Sequence, residues 1–296
     1  MQTPMLRHWA LLGYLVLAWG FAFYLIAIGL ESLAPTTVVW ARLFTGALVM
    51  LLIMKWRGGS LRLGQGWLLR LIILSVTGNI LPFTLIAWAE QSVPSGQVGM
   101  LMALMPITTM LLAHYFLEQE FITPLRFVGV LLGLAGVALL VGGDVLQDAL
   151  DTTLWGQLAA VLATFCYAAN GIYAKRLPKY DVISVTAASL LTGSILLLPW
   201  VFLNQAPVEL VMQWQSVVAV LALGILGTGL ATWAYFTVVS ECGPGFLATI
   251  NYLIPGLAFL VGVFLLQEPA GWAEWCALAL ILSGVWMIQP RRRVGR

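Results

Sequence analysis

Polar residues in this chain come in short clusters, and the stretches between clusters are apolar on every face. These stretches show neither the 3.6-residue period of a surface helix nor the two-residue alternation of a half-buried strand. They run for about twenty residues, the length a helix needs to cross about 30 Å of hydrocarbon. Barrel strands alternate polar and apolar residues in segments of about ten. Lipid permits only helices or a closed barrel, because every backbone polar group must be satisfied internally. The pattern therefore predicts an all-α membrane protein with ten transmembrane helices, at 9–29, 35–54, 68–89, 95–117, 125–143, 154–174, 183–203, 215–239, 244–266 and 271–289. The longest break, around 143–153, leaves no room for a soluble domain.

Composition agrees. Hydrophobic residues make up 61% of the 296 and charged residues only 9%, against about 25% charged in soluble domains. The placement of charge orients the chain. With the N-terminus in the cytoplasm, the inner side receives Arg7, Lys55, Arg57, Arg62, Arg70, Arg126, Lys175, Arg176, Lys179, Arg291, Arg292, Arg293 and Arg296. That is 13 of the 14 basic residues, and the last, Arg42, lies inside a span. Such a bias is the positive-inside rule, and one missed helix would scramble it. Both termini are expected in the cytoplasm. The outer loops carry Glu31, Glu90, Asp144, Asp148, Asp151 and Glu209, with Glu268 and Glu274 flanking the last one. No cleaved signal is read at the N-terminus. The three cysteines, Cys166, Cys242 and Cys276, fit no disulfide or metal framework and read as small buried side chains.

One five-helix unit is used twice, 1–146 and 147–296. Ser95-Gly96 precedes Pro106 as Pro244-Gly245 precedes Pro255. Glu120 matches Glu268, Gly136-Val137 matches Gly284-Val285, and Trp19-Gly20 lines up with Tyr167-Ala168, all at an offset of 148. An odd number of spans makes the second unit enter from the opposite side, so the repeats are inverted about a pseudo-two-fold axis in the membrane plane. Alternating-access transporters are built this way.

The ten spans, Trp19-Gly20, Pro35 with Arg42, Pro106 with Glu120, and Pro255 with Glu268 together resemble the drug/metabolite transporter superfamily, in its EamA-type branch. The run Asn251-Tyr252-Leu253-Ile254-Pro255 is similar to runs in exporters of aromatic amino acids, whereas the matching Met102-Ala103-Leu104-Met105-Pro106 lacks the Asn-Tyr pair. The resemblance implies a bacterial inner-membrane exporter of amino acids or related metabolites, aromatic or other apolar ones favoured, with a central cavity. Uptake, or carriage of another organic solute or drug, is the alternative.

Sites in such folds lie near the midplane at the repeat interface. Polar residues at that depth are costly and tend to line cavities. Spacing groups Trp19 with Phe23, Asn79 with Phe83, Tyr167 with Asn170, Thr228 with Thr232 and Tyr235, and Asn251 with Tyr252 and Pro255. A pocket of aromatics with a few amides and hydroxyls suits an amphipathic organic solute. Packing or glue between helices is the competing role for each residue. Pro106 and Pro255 are the hinge candidates, and Gly224, Gly227 and Gly229 soften span eight. Arg42 either pairs with an outer carboxylate such as Glu90, contacts a substrate carboxylate, or fixes span two through backbone carbonyls. Trp88, Trp200, Trp214 and Trp272 read as interface anchors.

No carboxylate sits mid-span. This predicts facilitated transport, or coupling through an acid near a helix end such as Glu118, Glu120 or Glu241. Gly129-x-x-x-Gly133 and Ala279-x-x-x-Ser283 read as close-packing seams, internal ones before a dimer seam. A monomer in the bilayer is therefore expected, with no cofactor, metal or nucleic-acid partner. No nucleotide-binding or hydrolase motif occurs. Gly142-Gly143-Asp144 and Tyr180-Asp181 faintly echo paired-aspartate intramembrane proteases, but topology puts the two acids on opposite sides. His8 and His114 are the only histidines and lie far apart in sequence. A sensor would need a signalling segment, and a channel would need rings of carbonyls or charges.

Overall fold

The computed structural model describes residues 5–61, 63–116, 123–147, 152–203 and 212–288. Arg62, Glu118, Glu120, Asp148, Asp151, Glu209, Arg291, Arg292, Arg293 and Arg296 lie outside the described residues. Among the described residues the chain is all-helical, with nine helices long and apolar enough to cross a membrane. These are span one (Leu6–Leu30), two (Pro35–Trp56), three (Trp67–Ala89), four (Ser95–Phe116), five (Pro124–Val141), six (Thr152–Lys175), seven (Val182–Leu203), eight (Trp214–Cys242) and nine (Gly245–Leu265). The last apolar helix, span ten (Trp272–Ile288), has 17 residues, the lower end of spanning length.

Local chemistry sets several helix ends. Pro35 and Pro124 open their helices, where a missing N–H costs nothing and the fixed φ already fits. Asp181 Oδ2 accepts from Ser184 N at 2.9 Å at the start of span seven, which makes Asp181 a helix cap. Gly243, at φ 85°, stops span eight, a conformation that excludes most side chains.

The packing has two-fold character. Spans two and seven, four and nine, and five and ten each pack against their own counterpart in the other half. Span one packs on eight and nine, and span six on their equivalents, three and four. Span two packs on eight as span seven packs on three.

Spans five and ten meet backbone to backbone. A Cβ on Gly284 would lie 2.5 Å from Gly129 O and 2.7 Å from Gly133 N. The Gly129–Gly133 spacing is thus an internal seam. Ala279 and Ser283 do not share it: both are exposed, because Gly284, Ala277 and Ile281 form the face that meets span five. The cysteine expectation also needs correcting. All three are free, but only Cys242 is buried, and Cys276 is exposed. Trp88, Trp200, Trp214 and Trp272 are exposed at span ends, Trp272 by 87%, as interface anchors should be.

Five spans depart from plain α-helix. Span one is interrupted at Phe21. Span four breaks at Ala103-Leu104, just ahead of Pro106. Span nine breaks at Ala248-Thr249, more than a turn ahead of Pro255, which lies inside the continuous helix Ile250–Leu265. Spans three and eight widen into π-helix at Val76–Ile80 and Leu223–Leu230. The offset of 148 carries 76–80 onto 224–228, so the two π segments occupy equivalent positions.

Gly284→Val should destabilise the bundle by about 1–3 kcal/mol through overpacking. Thermal unfolding in detergent would read this as a lowered midpoint, with Ser283→Val near wild type.

A candidate binding site around Arg42

Glycine lets spans two and eight approach. A Cβ on Gly46 would lie 2.8 Å from Thr228 Cγ2, and one on Gly229 would lie 2.6 Å from Val49 Cβ. Gly224 faces Thr45 Oγ1 and the Arg42 carbonyl. Across this seam Arg42 is only 7% exposed. Its Nε donates to Thr228 Oγ1 at 2.8 Å, and its guanidinium carbon stands 3.7 Å from the centre of the Phe83 ring. The Thr228 hydroxyl in turn donates to Leu223 O at 3.2 Å, five residues back, a reach that the π turn supplies.

Magnitudes explain why this arginine is tolerated. Insertion mid-membrane costs about 2.5–3.5 kcal/mol. A hydrogen bond to a charged group returns about 1.5–3 kcal/mol, and a desolvated cation–π contact about 2 kcal/mol. Both sequence readings of a structural partner are revised. No ion pair within 4.0 Å joins Arg42 to Glu90, and the side chain is held by a hydroxyl and a ring. Guanidinium carries five N–H donors, and one of them is committed to Thr228.

The other predicted residues divide into groups. Tyr167 meets Phe83 edge-on, ring centres 6.4 Å apart. Asn170, on the same face of span six, reaches span three, with its Oδ1 3.1 Å from Thr77 Oγ1. Gly78 leaves room for it, since a Cβ there would lie 2.5 Å from Asn170 Nδ2. Trp19 Nε1 donates to Gly227 O at 3.0 Å and its ring sits 5.7 Å from that of Tyr235. These are two aromatic pairs, one at span one against eight and one at span six against three.

Three expected pairings come apart. Trp19 turns to span eight, whereas the buried Phe23 lies where a Cβ on Gly99 of span four would touch it. Asn79 Nδ2 donates to Ser189 Oγ of span seven at 3.0 Å, whereas Phe83 faces Arg42 and Tyr167. Thr228 faces span two and Tyr235 faces span one, with the half-buried Thr232 between them in sequence. In spans three and eight the cause is the π turn, which shifts the residues that share a face away from i, i+4. Tyr252 is engaged by span ten, its OH donating to Val285 O at 3.4 Å. Its neighbour Asn251 is half-buried.

Two of the acids expected in loops do lie there, but both are engaged by the bundle. Glu268 accepts from Ser95 N at 2.6 Å and Gly96 N at 2.9 Å, so it caps the N-terminus of span four, where a negative charge is stabilised. Glu90 directly follows span three, and both its oxygens are buried without a hydrogen-bond partner. Burial pushes this carboxyl well above the usual range; Glu268 pushes the same way and Arg42 pulls against them. No local signal marked Glu90, because its burial comes from distant spans.

At the end of the bundle holding Arg7, a second polar cluster ties span one to span eight. Glu241 Oε2 lies 2.7 Å from Arg7 NH2 and 2.7 Å from Nε2 of the fully buried His8. Met5 N donates to His8 Nδ1 at 2.9 Å, so Nε2 carries the hydrogen that Glu241 accepts. A cavity of about 570 Å³ opens here, lined by Arg7, Trp56, Arg57, Trp233 and Glu241 among others.

Thr228→Val should cost about 1.5–3 kcal/mol of stability by stripping Arg42 Nε of its acceptor, whereas Thr228→Ser should not; thermal unfolding distinguishes them. Glu90 predicts a pH effect. Its folded carboxyl holds a proton to higher pH than the unfolded one, near 4.3. Its contribution therefore falls as pH rises from that value toward the folded one. Glu90→Gln should flatten that decline in the unfolding midpoint.

The chain resembles known proteins along most of its length. Residues 8–142 and 154–289 each match the EamA-like transporter family. The uncharacterized transporter YoaV of Bacillus subtilis (strain 168) is 25% identical over 272 residues, covering 92% of each chain. The uncharacterized inner membrane transporter YedA of Escherichia coli (strain K12) is 25% identical over 278 residues, 93% of this chain and 88% of YedA. Protein PecM of Dickeya dadantii (strain 3937) is 23% identical over 279 residues, 93% of this chain and 90% of PecM. A solved crystal structure shares the fold at TM-score 0.68 and 21% identity, over 95% of this chain and 97% of that one. Each half of the bundle carries its own match, and this polytopic membrane protein belongs to the EamA-like transporter family.

Proposed function

We propose that the protein exports amino acids, aromatic or other apolar ones first, across a bacterial inner membrane by alternating access. The observation that carries this reading is Arg42: a buried guanidinium, held by Thr228 and Phe83, with donors left for an anion. A substrate carboxylate fits it, and aromatic pairs at Phe83/Tyr167 and Trp19/Tyr235 suit an apolar side chain. The membrane domain works as two inverted halves, 1–146 and 147–296, with both termini in the cytoplasm. The equivalent π segments and the breaks ahead of Pro106 and Pro255 are where the halves flex. The bundle acts as a monomer, since the glycine seam is spent on packing span five against ten.

A flux assay in reconstituted vesicles, run with a panel of amino acids and decarboxylated analogues, tests this. L-phenylalanine should move and phenethylamine should not compete with it. Arg42→Met should raise the KM for L-phenylalanine about 10- to 100-fold, the value of a charge-assisted hydrogen bond. Movement of none of the panel would overturn the reading. Asn251→Ala should alter solute preference if its face lines the path, and unchanged selectivity would remove it.

A further inference from the structure

At the end of the bundle holding Arg7, spans one and two each pack on span eight, and the cavity of about 570 Å³ is lined by all three. Its floor is one stripe of span eight. Trp233, Thr237 and Glu241 line it at spacings of four residues, which share a face of a helix. They cover about 12 Å of the span at 1.5 Å per residue. Span one supplies Arg7 and Ala10, and the end of span two supplies Trp56 and Arg57. The cavity is therefore graded along the membrane normal. Arg7, Arg57 and Glu241 lie at the span ends, and Trp233 lies two turns deeper.

The charges at the mouth do not cancel. Two guanidinium groups face one carboxylate, which leaves one positive charge. Glu241 is already met within the fold, by Arg7 and His8 at 2.7 Å each. Arg57 makes no side-chain hydrogen bond or ion pair among the described residues, so its five N–H donors are open. Thr237 spends its hydroxyl hydrogen on Trp233 O at 2.9 Å, and the middle of the floor brings neither charge nor a free hydroxyl donor. The cavity also continues into the hydrocarbon. Leu48, Leu52 and Trp56 form an exposed stripe along span two, and Leu6, Ala10 and Leu17 form one along span one. Trp56 and Ala10 belong both to these stripes and to the cavity. Trp56, exposed by 83%, stands at a span end, the level of the lipid headgroups.

The geometry points to an anionic phospholipid as the occupant, its phosphodiester between Arg57 and Arg7 and an acyl chain along the stripe of Leu48 and Leu52. Basic pockets between spans take such headgroups. A phosphodiester supplies the one negative charge that the lining lacks. A soluble anion would use the mouth alone, whereas the apolar depth and the stripes leading from it match a chain. The lipid brings span two into the contact by which Arg7 and His8 already tie span one to span eight. This assignment stands apart from the amino-acid reading of Arg42.

Native mass spectrometry of the purified full-length protein in nonionic detergent tests it, with dioleoyl phosphatidylglycerol and dioleoyl phosphatidylethanolamine added in equal amounts. Phosphatidylglycerol should be retained in preference. Arg57→Gln should lower that retention about fivefold, the worth of one basic residue at an anionic surface, and Lys175→Gln, at a basic position outside the cavity, should not. Ala10→Trp, which fills the cavity without touching its charge, should release the lipid. An excess of glycerophosphoglycerol, the headgroup without chains, should leave the bound lipid in place. Equal retention of the two lipids would overturn the proposal, as would a loss on Lys175→Gln matching that on Arg57→Gln, which would mean diffuse attraction to a basic surface. Displacement by the chainless headgroup would assign the cavity to a soluble anion instead. Unchanged retention in Ala10→Trp would overturn it even if Arg57→Gln failed to fold.

Discussion

A guanidinium placed between helices must be held without water, and the bundle is arranged to do that. Arg42 reaches Thr228 only because Gly46, Gly224 and Gly229 remove the side chains that would hold spans two and eight apart. Thr228 can serve Arg42 and still satisfy itself only because the π turn brings the Leu223 carbonyl within reach. Phe83 covers the guanidinium from span three. Spans from both halves thus converge on one charge, and the seam between the halves is where that charge sits.

The two ends of the bundle close by different chemistry. At the Arg7 end, His8 and Arg7 share the Glu241 carboxylate. The equivalent meeting of spans six and three, shifted by 148, is uncharged and close-packed: a Cβ on Gly156 would lie 2.6 Å from Ser92 Oγ and 2.7 Å from Val93 Cγ2, and Ser92 Oγ donates to Thr152 O at 3.0 Å. Two-fold related helices therefore make unlike contacts. The ionic end is sensitive to salt, whereas the glycine end is set by shape.

Span positions were legible in the sequence because hydrocarbon thickness fixes a length and loops must be polar. The expected 68–89 became Trp67–Ala89, and 95–117 became Ser95–Phe116. Site residues were legible as types but less so as neighbours. Asn79 with Phe83, and Thr228 with Tyr235, were paired by an α-helical period that the π turns break. No residue type marks a π turn: Val76–Ile80 contains one glycine and Leu223–Leu230 contains three. Glu90 follows Ala89 at the end of an apolar run, so local hydropathy puts it in water. Its two oxygens are nonetheless buried in the folded bundle. Position along the chain reports depth in a membrane, but not the environment that other spans impose at that depth.

The π segment of span eight also governs what lies beyond it. Each α-helical residue advances the side-chain direction by about 100°. If Leu223–Leu230 tightened into α-helix with its residue count unchanged, the extra residue that the wide turn absorbs would swing Ala231–Cys242 around its axis by about that angle. Glu241 would then point away from His8, about three helical turns from the nearest π residue. The widened turn that seats Thr228 under Arg42 therefore sets the angular phase of the whole far half of the helix, so central site and distant latch are keyed to a single residue count.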